Sequence, residues 1–217
     1  MTIRIGAIHA LPGSVAPIES AFERLWPEAE VVNLLDESLY LDYARWGRET
    51  DEITRRVTGL IQHSVGSGAE GILFSGSLFS QSVQAARTDM SIPVLTAYEA
   101  MIEAAVEQGN RLGVLATVAD TILSIERDVT EYVEQRAITI TLQTHLVDGA
   151  MDALRAGDNA RHDELVAEAA AELEDCQALM LAQHSMGRAR HLIADVEGRQ
   201  VLTSPDTAAL KLKHLLT

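Results

Sequence analysis

The side chains of this chain best suited to moving protons are its seven histidines and its single cysteine. An imidazole with an ordinary pKa of about 6.5 serves near neutral pH as base, acid or hydrogen-bond donor. His9 closes a β-branched apolar run, Ile3 to Ala10, and is the foremost candidate for such a role, the alternative being a ring satisfied by neighbouring backbone. His184 follows Gln183 at the end of a second apolar run, where alternation along a strand can put the two side chains on opposite faces. His145 ranks below both. His63, His162, His191 and His214 fall in helical or connecting segments, where a surface position is expected.

A second set of residues suits anion binding. Ser75, Ser77, Ser80, Thr117, Thr121 and Ser185 stand at the ends of apolar runs, each followed by a helical pattern. Hydroxyls together with the N–H groups of a helix start make a cradle for a carboxylate, although any one of them can simply cap its helix. Gly76 lets a ligand approach the backbone closely. A metal site from the histidines with Asp36 and Glu37 would need ligands from four loops and has no HxH or HxxxH pair, so neither metal nor cofactor is expected. Cys176 lies at the start of its run, about 23 Å from the end at Gln183, and reads as a small buried apolar residue.

The elements that must hold these residues alternate. Eight short apolar runs, at 3–10, 31–36, 71–76, 93–97, 111–117, 137–144, 178–183 and 201–204, are separated by helical patterns such as 51–65, 98–108 and 158–173. That is the sequence form of parallel βαβ units, with strands covered on both faces. A shift of 107 residues brings the two halves into register: Gly6 falls on Gly113, Val31 on Ile138, Asp51 on Asp158, Leu73 on Met180 and Val94 on Val201. The expected fold is α/β, two pseudo-symmetric lobes, each a four-stranded parallel sheet flanked by helices. Lobe 1 spans 1–97, lobe 2 spans 98–204, and the helix at 205–217 returns to lobe 1. Ligands of open parallel sheets bind beyond the carboxyl ends of the strands, so the cleft between two facing lobes is the expected site. The residues after the second strand of each lobe are then Asp36 to Ser38 and Gln143 to His145. The segment from Leu39 to Arg48 holds two of the four tyrosines and one of the two tryptophans, and reads either as a specificity element or as a helix packing its aromatics on the sheet.

Composition restricts partners. Of 32 acidic and 17 basic side chains, 12 and 7 precede residue 98 and 20 and 10 follow it, so both halves are acidic without a basic patch. Nucleic acid and anionic membrane are poor partners for such a chain. One cysteine excludes an intramolecular disulfide framework and fits a reducing, cytoplasmic location. The apolar stretch from Ile5 to Leu11 ends at Pro12-Gly13, too short for a signal peptide.

The order and spacing of Ile5-Gly6-Ala7-Ile8-His9, Gly71 to Ser77, Leu112 to Thr117 and Leu179 to Met186 resemble the aspartate/glutamate/hydantoin racemase superfamily over essentially the whole chain. The resemblance implies a small carboxylate or ureide substrate, an isomerase, and a homodimer or higher homo-oligomer. It also implies two facing cysteines, one thiolate removing the α-proton while the opposite thiol delivers another. The matching positions here are Gly76 and Gln183, themselves 107 apart, and neither exchanges a proton near neutral pH. The decarboxylase branch keeps glycine at the first position, as here, but cysteine at the second. His9 matches the acid-base aspartate of glutamate racemases. The expectation is proton transfer at the α-carbon of a small carboxylic acid or amino-acid-like substrate without the two-cysteine mechanism. His9 and His184 would be the catalytic candidates, and Ser75, Gly76, Ser77, Thr117, Thr121, Gln183 and Ser185 the binding ones. A cysteine-independent decarboxylase or lyase, or a non-catalytic carboxylate-binding protein, is the alternative.

Overall fold

Strands form where β-branched and aliphatic residues run without interruption, and helices where apolar residues recur every three or four positions. The computed structural model describes residues 2–173 and 175–217. In chain order the first unit holds β1 (Arg4–His9), α1 (Val15–Leu25), β2 (Glu30–Leu35), α2 (Ser38–Trp46), α3 (Asp51–Gly66), β3 (Gly71–Phe74), α4 (Ser80–Arg87) and β4 (Val94–Leu95). Next come α5 (Glu99–Gln108), β5 (Arg111–Ala116), α6 (Ala119–Gln135), β6 (Thr141–Leu146), α7 (Ala150–Arg155), α8 (Asn159–Ala170), β7 (Ala178–Leu181), β8 (Gln200–Thr203) and α9 (Ser204–Leu216). The chain divides into one compact unit of Met1–Ala100 with Pro205–Thr217, and another of Met101–Ser204.

Each unit is a four-stranded parallel sheet, ordered β2-β1-β3-β4 in the first and β6-β5-β7-β8 in the second. In the first unit, alternation along β1 and β3 sends residues to two cores. Ile8 and Phe74 meet Val57, Ile61 and Phe79 on one face, while Ile5, Ala7 and Leu73 meet Ile18, Phe22 and Trp26 of the α1 layer on the other. Ala208, Ala209 and Leu212 of α9 complete this second core. Burying each large aliphatic side chain in this way contributes about 1.5–3 kcal/mol. Lys213 of α9 also donates to the Leu25 carbonyl at 3.1 Å. In the second unit Leu115, Leu179 and Leu181 pack with Val166, Ala169 and Ala170 of α8. Cys176 is buried, donates to the Leu173 carbonyl at 2.9 Å, and has its thiol pKa raised by burial.

The 107-residue repeat is kept at three of the four strands. Ile5 pairs with Gly71 and Leu112 with Ala178; Ile72 pairs with Val94 and Leu179 with Val201. The second strands depart from it. Ile5 pairs with Val31 but Leu112 pairs with Leu142, so the offset there is 142 minus 31, or 111. The alignment of Val31 with Ile138 is therefore wrong by four residues, and the strand expected at 137–144 lies at Thr141–Leu146. Pro27 supplies the reason. A proline disfavours helix in the residue before it, and α1 ends at Leu25. Position 134, the counterpart of Pro27, is glutamate, and α6 runs on to Gln135. The run from Ile138 to Ile140, strand-like in composition, becomes the connection to β6.

Candidate active site

His9 is the last residue of β1 and is fully buried, and Ser75 follows β3 with 4% exposure. Because Ile8 lies beside Phe74 in the parallel register, His9 and Ser75 are neighbours on one face, the face of α1. His9 Nδ1 lies 3.1 Å from Ser75 Oγ, and Nε2 lies 2.8 Å from Asn33 Oδ1 of β2. Asn33 in turn donates through Nδ2 to Glu19 Oε1 of α1 at 2.7 Å. This chain fixes the tautomer. A carboxylate only accepts, so the amide turns its NH₂ to Glu19 and its oxygen to His9. Nε2 therefore carries the ring proton, and Nδ1 presents its lone pair to the Ser75 hydroxyl. Burial lowers the pKa of His9 from the usual 6.5, opposed by the bond to Asn33 and the charge of Glu19. The ring is a neutral base with both nitrogens engaged, so it reaches a ligand through Ser75.

Gly76 faces the other way. A Cβ built there would stand 2.7 Å from Phe79 Cδ2, 3.0 Å from Phe74 Cε1 and 3.2 Å from Ala10 Cβ. Position 76 thus points into the aromatic core under α3 and α4, and the side chain aligned with His9 belongs to Ser75.

The second unit lacks this pair. Adding 107 to His9 and Ser75 gives Ala116 and Ala182, both buried. Its polar groups are arranged differently, with Gln183 Oε1 accepting from the Thr117 amide and from Thr117 Oγ1 at 2.8 Å. His184 and Ser185, both half-buried, open a 3-10 segment from His184 to His191. Thr121 is buried in the first turn of α6. One outer pair does recur: Glu126, at 19 plus 107, accepts from Thr144 Oγ1 at 2.9 Å, as Glu19 accepts from Asn33.

None of the six hydroxyl residues Ser75, Ser77, Ser80, Thr117, Thr121 and Ser185 stands at the N-cap position of α1, α4, α6 or the segment after Gln183. The starts of α1, α4 and α6, and of the segment after Gln183, have no side-chain cap, whereas Thr50 caps α3 and Asp158 caps α8. At α4 an internal carboxylate fills the position, Glu49 Oε2 accepting from the Ser82 amide at 2.8 Å and from its hydroxyl. Ser80 donates to the Ser77 carbonyl at 3.3 Å, and Tyr40 is hydrogen-bonded with Ser77, its phenol pKa raised chiefly by burial.

The aromatic segment after β2 is the helix α2. Tyr40 and Tyr43 pack edge-on against Phe79 at 5.3 and 5.9 Å, so these rings serve the sheet. Asp36 takes a bidentate grip on Arg56, at 2.6 and 2.7 Å, and holds α2 to α3. The four-residue shift also moves Gln143 and His145 off the carboxyl end of their strand. Both lie within β6, where His145 pairs with Glu172 at 3.2 Å, and the residues after the strand are Val147 and Asp148. His162, expected at the surface, is fully buried, with Nδ1 2.6 Å from Asp163 Oδ1, and Arg188 also bridges to Asp163. It lies on the inward face of α8, which the helical pattern alone did not distinguish from the outward one. Among the described residues no group of three or more His, Cys, Asp or Glu side chains is gathered as a metal site would require, and no helix is long and apolar enough to cross a membrane.

Asn33 and Glu19 are the site residues that the sequence reading missed. The signals were an amide inside the apolar run from Val31 to Leu35, and a glutamate that recurs at 107.

The profile of the Asp/Glu/Hydantoin racemase family matches residues 16–212. The chain belongs to the Asp/Glu/hydantoin racemase family. A search of curated protein sequences gives no match. Among solved structures, allantoin racemase from Klebsiella pneumoniae is similar at 16% identity and a TM-score of 0.75, covering 99% of this chain and 87% of that one. An aspartate racemase homologue from Pyrococcus horikoshii is similar at 14% identity and a TM-score of 0.74, covering 99% of both chains. Unliganded arylmalonate decarboxylase is similar at 15% identity and a TM-score of 0.64, covering 99% of this chain and 92% of that one. At such identities these likenesses establish the racemase fold, and family membership supports a racemase or isomerase type of function.

Proposed function

We propose that this racemase-family protein moves a single proton at the α-carbon of a small carboxylic or amino-acid-like acid, without a pair of thiols. The observation that carries the reading is the one-sidedness of the proton machinery. Ser75 and the neutral His9 form a relay in the first unit, and alanines occupy the equivalent positions in the second. Ser75 Oγ takes the substrate proton as its own passes to His9 Nδ1, and Asn33 with Glu19 holds the ring in the tautomer this requires. The start of α1, which has no side-chain cap, supplies N–H donors for the carboxylate. A one-sided relay returns its proton to the face it came from, so exchange with retention, or decarboxylation followed by one-sided protonation, is easier than racemisation.

The test is NMR in D₂O with a panel of amino acids, hydroxy acids, malonates and hydantoins. Turnover or α-proton exchange with retention is expected, falling by about 10²–10⁴ in His9→Gln. Equal rates in wild type and His9→Gln would sink the assignment, as would racemisation from both enantiomers at similar rates. Thermal stabilisation by a carboxylate with no exchange would identify a non-catalytic binding protein instead.

A further inference from the structure

We propose that Ser75 is also a nucleophile, and that the protein hydrolyses small carboxylic esters through an acyl-serine intermediate. This activity goes beyond α-proton transfer, for it uses the same relay on a different bond. A hydroxyl is a weak nucleophile until an adjacent base takes its proton, and that base works best when a third group fixes its tautomer. All three parts are present. The lone pair of His9 Nδ1 is 3.1 Å from Ser75 Oγ, Asn33 Oδ1 accepts the opposite ring proton at 2.8 Å, and Glu19 orients the Asn33 amide at 2.7 Å.

In the first step Ser75 Oγ bonds to the ester carbonyl carbon as its proton moves to His9 Nδ1. The carbon–oxygen bond to the alcohol then breaks, and the alcohol leaves with the proton from Nδ1. In the second step water attacks the acyl-serine while giving a proton to Nδ1. The Oγ–carbon bond breaks, Oγ regains the proton, and the carboxylic acid departs. The imidazolium formed in each step donates to Asn33 Oδ1, whose amide is polarised by Glu19. Those two are positioning residues.

The experiment mixes the full chain with p-nitrophenyl acetate, following p-nitrophenolate release by stopped flow and acetylation by peptide mass. A burst of about one equivalent per chain, with acetyl on the peptide containing Ser75, is expected. Ser75→Ala abolishes the burst and His9→Gln slows it by about 10²–10⁴. Ser75→Cys, which keeps a nucleophile beside the same ring, retains a burst and shows that the loss in Ser75→Ala is not a folding defect. Asn33→Ala moves the pH midpoint of the burst downward, because the bond to Asn33 favours the protonated ring; a purely structural role for Asn33 would leave the midpoint in place. A burst that survives in Ser75→Ala, or no burst in wild type while α-proton exchange proceeds, overturns the inference and leaves the proton-transfer reading standing. A burst without exchange on any acid of the panel does the reverse.

Discussion

Gly76→Cys tests whether position 76 or Ser75 shares the face of His9. A side chain at position 76 begins with a Cβ 2.7 Å from Phe79, 3.0 Å from Phe74 and 3.2 Å from Ala10, all well inside the roughly 3.5–4.0 Å of a good carbon–carbon contact. None of these neighbours gives way easily. Phe74 and Phe79 are fully buried, and Phe79 is wedged by Tyr40 and Tyr43. Overpacking of this kind costs about 1–3 kcal/mol. For a chain of this size each kcal/mol lowers Tm by roughly 2–4 °C, so a fall of roughly 2–12 °C is expected. The introduced thiol lies among aromatic rings, away from His9, and should react slowly with a chromogenic disulfide and confer no new α-proton exchange. Ser75→Cys provides the contrast: its thiol stands beside the His9 base, with little change in Tm. Calorimetry, thiol titration and exchange in D₂O on both variants make the comparison. An unchanged Tm in Gly76→Cys, together with fast thiol reaction and a gain in exchange, would refute the assignment of faces.

Two further outcomes follow from the same geometry. Burial holds His9 below the usual 6.5, so the folded ring refuses a proton that the unfolded ring accepts; stability is full above pH 6.5 and declines as pH falls below it, until the folded pKa is reached. Urea titrations should show this slope, at most about 1.4 kcal/mol per pH unit from this one group, and a smaller slope in His9→Gln; identical slopes would show that His9 is not buried in the neutral form. In the second unit, Gly113→Ala sets a Cβ 2.9 Å from Cys176 Sγ and 3.1 Å from Leu179 Cδ1, at an expected cost of about 1–3 kcal/mol. Adding Cys176→Ala should recover part of it, with a coupling of at least about 0.5 kcal/mol in a double-mutant cycle; strict additivity would mean that the sulfur is not the obstacle.

The strands and their parallel pairing could be read from the chain because helix-covered strands are apolar on both faces, as the fully buried runs β3 and β7 are. The repeat was equally visible at β1, β3 and β4. It misled at the second strand, where Ile138 and Ile140 have strand composition but a longer α6 takes up residues that Pro27 denies to α1. The slip of four kept side-chain parity yet moved His145 from a strand end into a strand. His162 shows another limit: helical spacing gives a buried face and an exposed one, and only packing against Arg188 and its segment chose between them.

At the site the division is sharper. Sequence alone determined that His9 ends a buried strand and that Cys176 sits at the wrong end of its own, because both depend only on residue type and distance along the chain. Tertiary structure decided that Ser75 rather than Gly76 shares the face of His9, and that Asn33 and Glu19 fix its proton. Face and hydrogen bonding are set by register between strands that are 24 and 66 residues apart in the chain, and since side chains alternate with a period of two, a displacement of a single residue exchanges the face of His9 for a packed core.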